Sequence, residues 1–170
     1  MTDGHFNFSD EDLIEIPNFF RCTLKNEQFK TCSMCENSLE NSNYIIEKLI
    51  QNNEPIVEFA LCTKCIEGLM ASLSKESIKK MRDQDDPFLY MEGNHCISCQ
   101  KNESETKRSI HVGMFLGFQY VADSHIWTCS TCIKSKQKIL SKKTREKLED
   151  FNRDILSPFS SDLDIPVFSF

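Results

Sequence analysis

Glycine and proline are scarce in this 170-residue chain, five of each. That excludes collagen-like and low-complexity architectures, and 13 phenylalanines point to a packed chain and not a disordered one. Long apolar runs are missing as well. The longest, 112–118, is far too short to span a bilayer, so no membrane association is expected. The first residues, Met1-Thr2-Asp3-Gly4-His5-Phe6, lack the basic-then-apolar order of a secretory signal, and a cytoplasmic protein is expected. Positive charge is in deficit: 20 Lys and Arg face 26 Asp and Glu, a formal charge of −6. Nucleic-acid readers carry a basic face, so the net charge favours a protein partner and disfavours nucleic acid. There is no Gly-rich phosphate loop, no nucleophile elbow and no HExxH, and the expectation is a non-enzymatic protein.

What the chain has is cysteine. Eight of its nine cysteines form four Cys-x-x-Cys units: Cys32/Cys35, Cys62/Cys65, Cys96/Cys99 and Cys129/Cys132. Two cysteines three apart can place both sulfurs on one metal ion, and two such pairs close a tetrahedral thiolate site. The gaps between successive units are 26, 30 and 29 residues, so spacing alone leaves several pairings open. An internal repeat resolves them. Cys62, Cys65, Ile66 and Leu73 recur 67 residues later as Cys129, Cys132, Ile133 and Leu140. Ser74, Lys75, Ser77, Lys80 and Met81 recur at the same offset as Ser141, Lys142, Thr144, Lys147 and Leu148. The repeat assigns Cys32, Cys35, Cys62 and Cys65 to one site and Cys96, Cys99, Cys129 and Cys132 to a second.

The expected fold class is α+β, with two duplicated zinc-stapled lobes. Each lobe has a cysteine turn, a β-hairpin and a helix, a treble-clef-like layout. Strands are expected at 44–50, 56–61, 109–116, 118–122 and 126–128, and helices follow each second cysteine pair, where apolar residues fall at helical spacing. Ser74 caps a second short helix. The expected organisation is an N-terminal helix and hairpin over 1–31, lobe one over 32–86, lobe two over 87–150 and a tail over 151–170. A helix is expected to start at Ser9, and the helical reading of the tail ends at Pro158. The apolar stretch 164–170 is expected to pack as an edge strand, and 88–91 to enter lobe two as a strand.

Each lobe resembles a four-cysteine treble-clef zinc finger such as the N-terminal zinc-binding domain of the bacterial Clp unfoldase ATPase. The resemblance rests on Cys32-Ser33-Met34-Cys35, Glu47-Lys48-Leu49-Ile50 and Leu61-Cys62-Thr63-Lys64-Cys65-Ile66-Glu67, and more loosely on the four cysteines of lobe two. It implies a zinc-stapled docking module. Two Zn²⁺ per chain are expected, although four thiolates also suit iron. Two tetrathiolate sites would take the folded charge to about −10. Four ligands leave no open position, so the metal is structural. Residues such as Glu36 and Gln100 stand after the turn cysteines, where many such turns carry glycine.

Two alternatives remain. The stretch 133–147 is strongly basic, and on a helix Lys134, Lys138, Lys142 and Arg145 can share a face toward nucleic acid or an acidic partner. Cys-x-x-Cys is also a thiol redox motif. His5, His95, His111 and His125 read as structural, and Cys22 reads as a small buried residue.

Overall fold

Residues rich in Val, Ile, Leu and aromatics, interrupted by charges, form two long strands, β2 (Asn43–Gln51) and β3 (Glu54–Cys62). Asn52 and Asn53 join them with φ of 51° and 67°, the left-handed pair that a two-residue hairpin turn requires. A third long strand, β4 (Arg108–Leu116), turns at Gly117 into β5 (Gln119–Val121). The chain then leaves the ladder. Asp123 has φ of 58°, and the Ser124 hydroxyl accepts from the Met114 amide at 2.9 Å and donates to the Val121 carbonyl at 2.7 Å. A side chain thus stands in for the missing strand before β6 (Ile126–Cys129) rejoins β4. In this computed structural model, residues 9–83 and 95–156 are described.

The strands make one antiparallel sheet in the order β1-β5-β4-β2-β3, with β1 being Leu13–Ile14 and β6 pairing β4 beside β5. Its centre is the pairing of β2 with β4, from Asn43 opposite Leu116 to Gln51 opposite Arg108. Strand alternation divides the core. Tyr44, Ile46 and Lys48 share one face with Phe115, Gly113 and His111, their cross-strand neighbours. The N-terminal turn Asn18–Phe20 covers this face. Phe20 is 1% exposed, stacks on Tyr120 at 5.6 Å and meets Phe115 edge-on at 5.4 Å. Leu49, Val57, Phe59, Leu61 and Ile110 point to the other face. They belong to one cluster with the buried sides of four helices, α1 (Thr63–Ser72), α2 (Lys75–Arg82), α3 (Ser130–Lys138) and α4 (Lys142–Leu156). The buried residues of α4, Thr144, Leu148, Phe151 and Ile155, fall at the spacing of one helical stripe.

Helices α2 and α4 meet at their N-termini. Ser74 caps α2 by accepting from the Ser77 amide, and Ser141 accepts from the Thr144 amide in the same way. Each half also serves the other. The Ser74 amide donates to Thr144 Oγ1 at 3.1 Å, and the Ser141 amide donates to Ser77 Oγ at 2.9 Å. Ser77 and Thr144 are fully buried, so these four hydroxyls satisfy one another where water cannot.

The N-terminal segment departs from the sequence expectation. Ser9 opens a 3₁₀ turn, Asp10–Asp12, and β1 follows in place of a helix. The seven residues between Ser9 and Pro17 are too few to repay helix nucleation, whereas Leu13 and Ile14 can pair with the free edge of β5. The hairpin expected before Cys32 is reduced to one bridge between Cys22 and Glu27. The elements expected at 88–91 and 164–170 lie outside the described residues. Among the described residues, no helix is long and apolar enough to cross a membrane.

A Cβ on Gly113 would come within 2.6 Å of the Phe20 ring. That ring is locked between Phe115 and Tyr120 and cannot swing away. Gly113→Ala is expected to cost about 1–3 kcal/mol of stability, as overpacking does, read as a lower midpoint in chemical denaturation. An unchanged midpoint would show that Phe20 does not seal this face.

Candidate metal centres

The four sulfurs of Cys32, Cys35, Cys62 and Cys65 lie within 4.8 Å of one another, as do those of Cys96, Cys99, Cys129 and Cys132. Cys32 to Cys65 is 3.8 Å, Cys35 to Cys62 is 3.7 Å and Cys99 to Cys129 is 3.8 Å. A tetrahedron with metal–sulfur bonds of about 2.3 Å has edges of about 3.8 Å, whereas a disulfide holds its sulfurs about 2.0 Å apart. The thiols are therefore free and spaced for a metal ion. The pairing that the repeat assigns is the one the fold brings together.

The two centres are built by the same hydrogen bonds. In the first, the Cys32 amide donates to the Asn37 carbonyl and the Glu36 amide to the Cys32 carbonyl. In the second, the Cys96 amide donates to the Lys101 carbonyl and the Gln100 amide to the Cys96 carbonyl. Ser33 is tied to the Ala60 carbonyl at 2.8 Å, and Ile97 to the Trp127 carbonyl at 3.0 Å. Cys62 and Cys129 are the N-caps of α1 and α3, with φ of −71° each, and their amides donate to the sulfurs of Cys32 and Cys96 at 3.4 and 3.3 Å. Cys65 and Cys132 follow in the first turn of each helix, where free N–H groups and the helix dipole favour thiolate. Each centre has a buried side, Cys32 and Cys62 or Cys96 and Cys129, and an exposed turn cysteine, Cys35 or Cys99.

Without a cation the four thiols of a centre cannot all ionise. The Asn37 amide draws Cys35 down to about 7. Burial opposes ionisation of Cys96, but the amides of Cys129, Ser98 and Cys99 outweigh it and bring this thiol to about 7. Burial pushes Cys62, Cys65, Cys129 and Cys132 up, and their neighbouring sulfurs add to the effect on Cys65 and Cys132. A divalent cation reverses this balance by supplying the charge that the remaining thiolates need. The donor set fits zinc, and four soft thiolates also fit iron.

Both turns use a left-handed residue without being glycine: Glu36 and Gln100 each have φ of 60°. His95 lies on a bridge to Asn102, outside the four-sulfur set. Lys134, Lys138, Lys142 and Arg145 are exposed on α3 and α4 and are not among the clustered ligands. Cys22 is half-buried and lines a cleft of about 660 Å³ together with Phe19, Lys48 and Glu103.

Beside that cleft lies a cluster that sequence reasoning missed. His111 is 2% exposed, and its Nε2 is 2.9 Å from Ser109 Oγ and 3.2 Å from Glu103 Oε1. A carboxylate only accepts, so the ring proton sits on Nε2, and Nδ1 accepts from His125 Nε2 at 2.9 Å. Phe19 covers both imidazoles, with ring centroids at 5.2 and 5.1 Å. Burial, and then repulsion from His125, lowers His111 to about 3, and burial lowers His125. The histidines were visible as residues of a strand and of a turn. Their contact depends on the turn at 122–125 that brings His125 back over β4. Lys48, beside His111 in the sheet, is likewise buried, held by Glu58 at 2.8 Å and by the Arg21 carbonyl at 2.6 Å.

Compared with known proteins, the chain matches no family model, no curated protein and no solved structure.

Two predictions follow from this chemistry. Glu36→Gly and Gln100→Gly relieve a left-handed side chain, and each is expected to stabilise the metal-loaded protein by roughly 1 kcal/mol in denaturant titration. No gain would mean that the side chains contribute as much as the strain costs. The unfolded chain protonates His111 near pH 6.5 while the folded chain resists until about 3, so stability is lost as pH falls through that window. His111→Gln is expected to flatten the stability profile between pH 7 and 5 by about 1.4 kcal/mol per pH unit at most. Parallel profiles would show that His111 accepts a proton without cost.

Proposed function

We propose that the protein is a non-enzymatic binding module held together by two structural zinc ions. The reading rests on one observation: each set of four sulfurs has the edge length of a tetrathiolate tetrahedron, 3.7–3.8 Å where adjacent sulfurs are measured. Four protein ligands leave no place for substrate or water, so the metal supplies cross-linking and not Lewis acidity. Cys32, Cys35, Cys62 and Cys65 would hold one ion, and Cys96, Cys99, Cys129 and Cys132 the other.

The identical turn bonds, the identical helix caps and the central pairing of β2 with β4 support a further proposal. The two halves are copies of one treble-clef-like unit, joined side by side within a single chain. In this reading the units are similar to the zinc-binding domain of the Clp unfoldase, and a docking role carries over from that resemblance. A thiol redox role is disfavoured, because the four sulfurs of each centre lie within 4.8 Å of one another and do not form two separate pairs.

Native mass spectrometry is expected to find two zinc ions per chain. Cys62→Ser and Cys129→Ser should each lose one ion, and chelation should abolish the cooperative unfolding transition, since metal binding and folding are coupled. Iron in both centres would replace the metal but keep the architecture. Disulfides in place of metal would overturn the proposal.

A further inference from the structure

Charge in this chain is sorted by layer. The four helices carry 13 of the 20 Lys and Arg but 6 of the 26 Asp and Glu. The helices therefore sum to +7 within a chain of −6, and the remaining residues to −13. The net charge of the chain therefore does not describe the helices, which are basic.

The positive face has a centre. Helices α2 and α4 meet through Ser74 and Ser141, whose hydroxyls are 3.0 Å apart, so two helix N-termini point into one place. Acidic residues normally occupy such positions. Here the first turn of α4 holds no acid, and it carries the exposed Lys142 and Lys143. The first turn of α2 carries exposed Lys75, and its one acid, Glu76, is taken by Lys80 at 2.6 Å. Lys80 also donates to the Ile139 carbonyl at 3.2 Å, which holds α2 against the end of α3. Exposed Lys79 and Arg82 extend the patch along α2, Lys134 and Lys138 along α3, and Arg145 and Lys147 along α4. The thiolate charge sits at the far ends of α1 and α3. For α3, nine residues, that is about 13 Å from the junction.

The patch lacks what other partners need. Among the described residues, the exposed large hydrophobic residues are Ile14, Phe19, Leu24 and Met34, and none lies on α1, α2, α3 or α4. Protein interfaces are anchored by buried aromatic and aliphatic side chains, and membrane-surface helices by inserted ones. Single-stranded nucleic acid is gripped by exposed aromatic rings on which bases stack. A dense, flexible, lysine-rich surface with no apolar anchor matches the regular phosphate backbone of a duplex.

We propose that the helix layer, centred on the α2–α4 junction, docks sequence-independently on the phosphate backbone of duplex nucleic acid. This deepens the reading of the chain as a binding module and rests on it. The hydroxyl cluster at the junction is saturated by its own hydrogen bonds and serves to hold the two helices in register.

The test uses the zinc-loaded full chain and two fluorescein-labelled DNA duplexes of unrelated sequence, followed by anisotropy. Both duplexes are expected to bind alike at low salt. With about four phosphates neutralised, affinity should fall on the order of 100-fold for a fourfold rise in salt. The triple variant Lys75→Glu, Lys142→Glu, Lys143→Glu should lose more than about tenfold in affinity, as each contact carries part of the salt-dependent term. The variant Lys25→Glu, Lys101→Glu, Lys107→Glu makes the same charge change off the helices and should bind like the parent. Zinc content and unfolding midpoint are measured on all three proteins. Absence of binding at low salt, salt-independent binding, equal loss in both variants, or equal displacement by poly-glutamate would each overturn the proposal. Any of these results with two zinc ions still bound would leave the binding-module reading standing, and loss of the zinc would remove that reading instead.

Discussion

Antiparallel pairing of β2 with β4 is the contact on which the rest of this structure depends. Neither cysteine cluster bridges the two halves, since each gathers its ligands from its own stretch of chain. With the four hydroxyls between α2 and α4, the Lys80–Ile139 bond and the shared apolar core, the central ladder makes the halves one molecule. It also gives each inner strand two neighbours, so neither β2 nor β4 exposes a free edge to other chains. Lys48, Ser109 and His111 consequently lie in mid-sheet with about 2% of their surface exposed. Polar side chains so placed must find partners within the protein, and they do, in Glu58, Glu103 and His125.

The two faces of the sheet have taken different roles. The helix face has a conventional apolar core beneath a basic outer surface. The opposite face is closed by the N-terminal segment and holds a row of cross-strand neighbours, Glu58, Lys48, His111 and Trp127, that runs over four strands. If the halves are copies, Ile46 stands in β2 about where His111 stands in β4, so the fold itself is satisfied by an apolar residue there. The histidine pair is an elaboration of one half and no requirement of the architecture.

The cysteine spacing and the 67-residue offset made both ligand sets legible, because sulfur pairs three apart and a capped helix start are local patterns. Strand alternation located β2, β3 and β4 to within two residues at each end. The sheet order was not legible. Nothing local in Tyr44 or Phe115 says that they stack at 5.1 Å, because that contact follows from the register of strands distant in sequence. The same holds for His111 with His125, where a turn fixed by the Ser124 hydroxyl decides the meeting. Net charge is a sum over the sequence and carries no information about which face each lysine joins.

The central ladder also sets an order in time. Its paired residues are 57 to 73 positions apart in sequence, whereas the sulfurs of a centre are joined across 27 to 33. Closing the shorter loops costs less chain entropy, and a metal ion rewards it at once. Each half can therefore gather around its metal before it meets the other, leaving a strand edge and a serine-capped helix waiting for a matching surface. Assembly of this chain then has the character of two partners docking, with the connecting segment raising the concentration at which each half encounters the other.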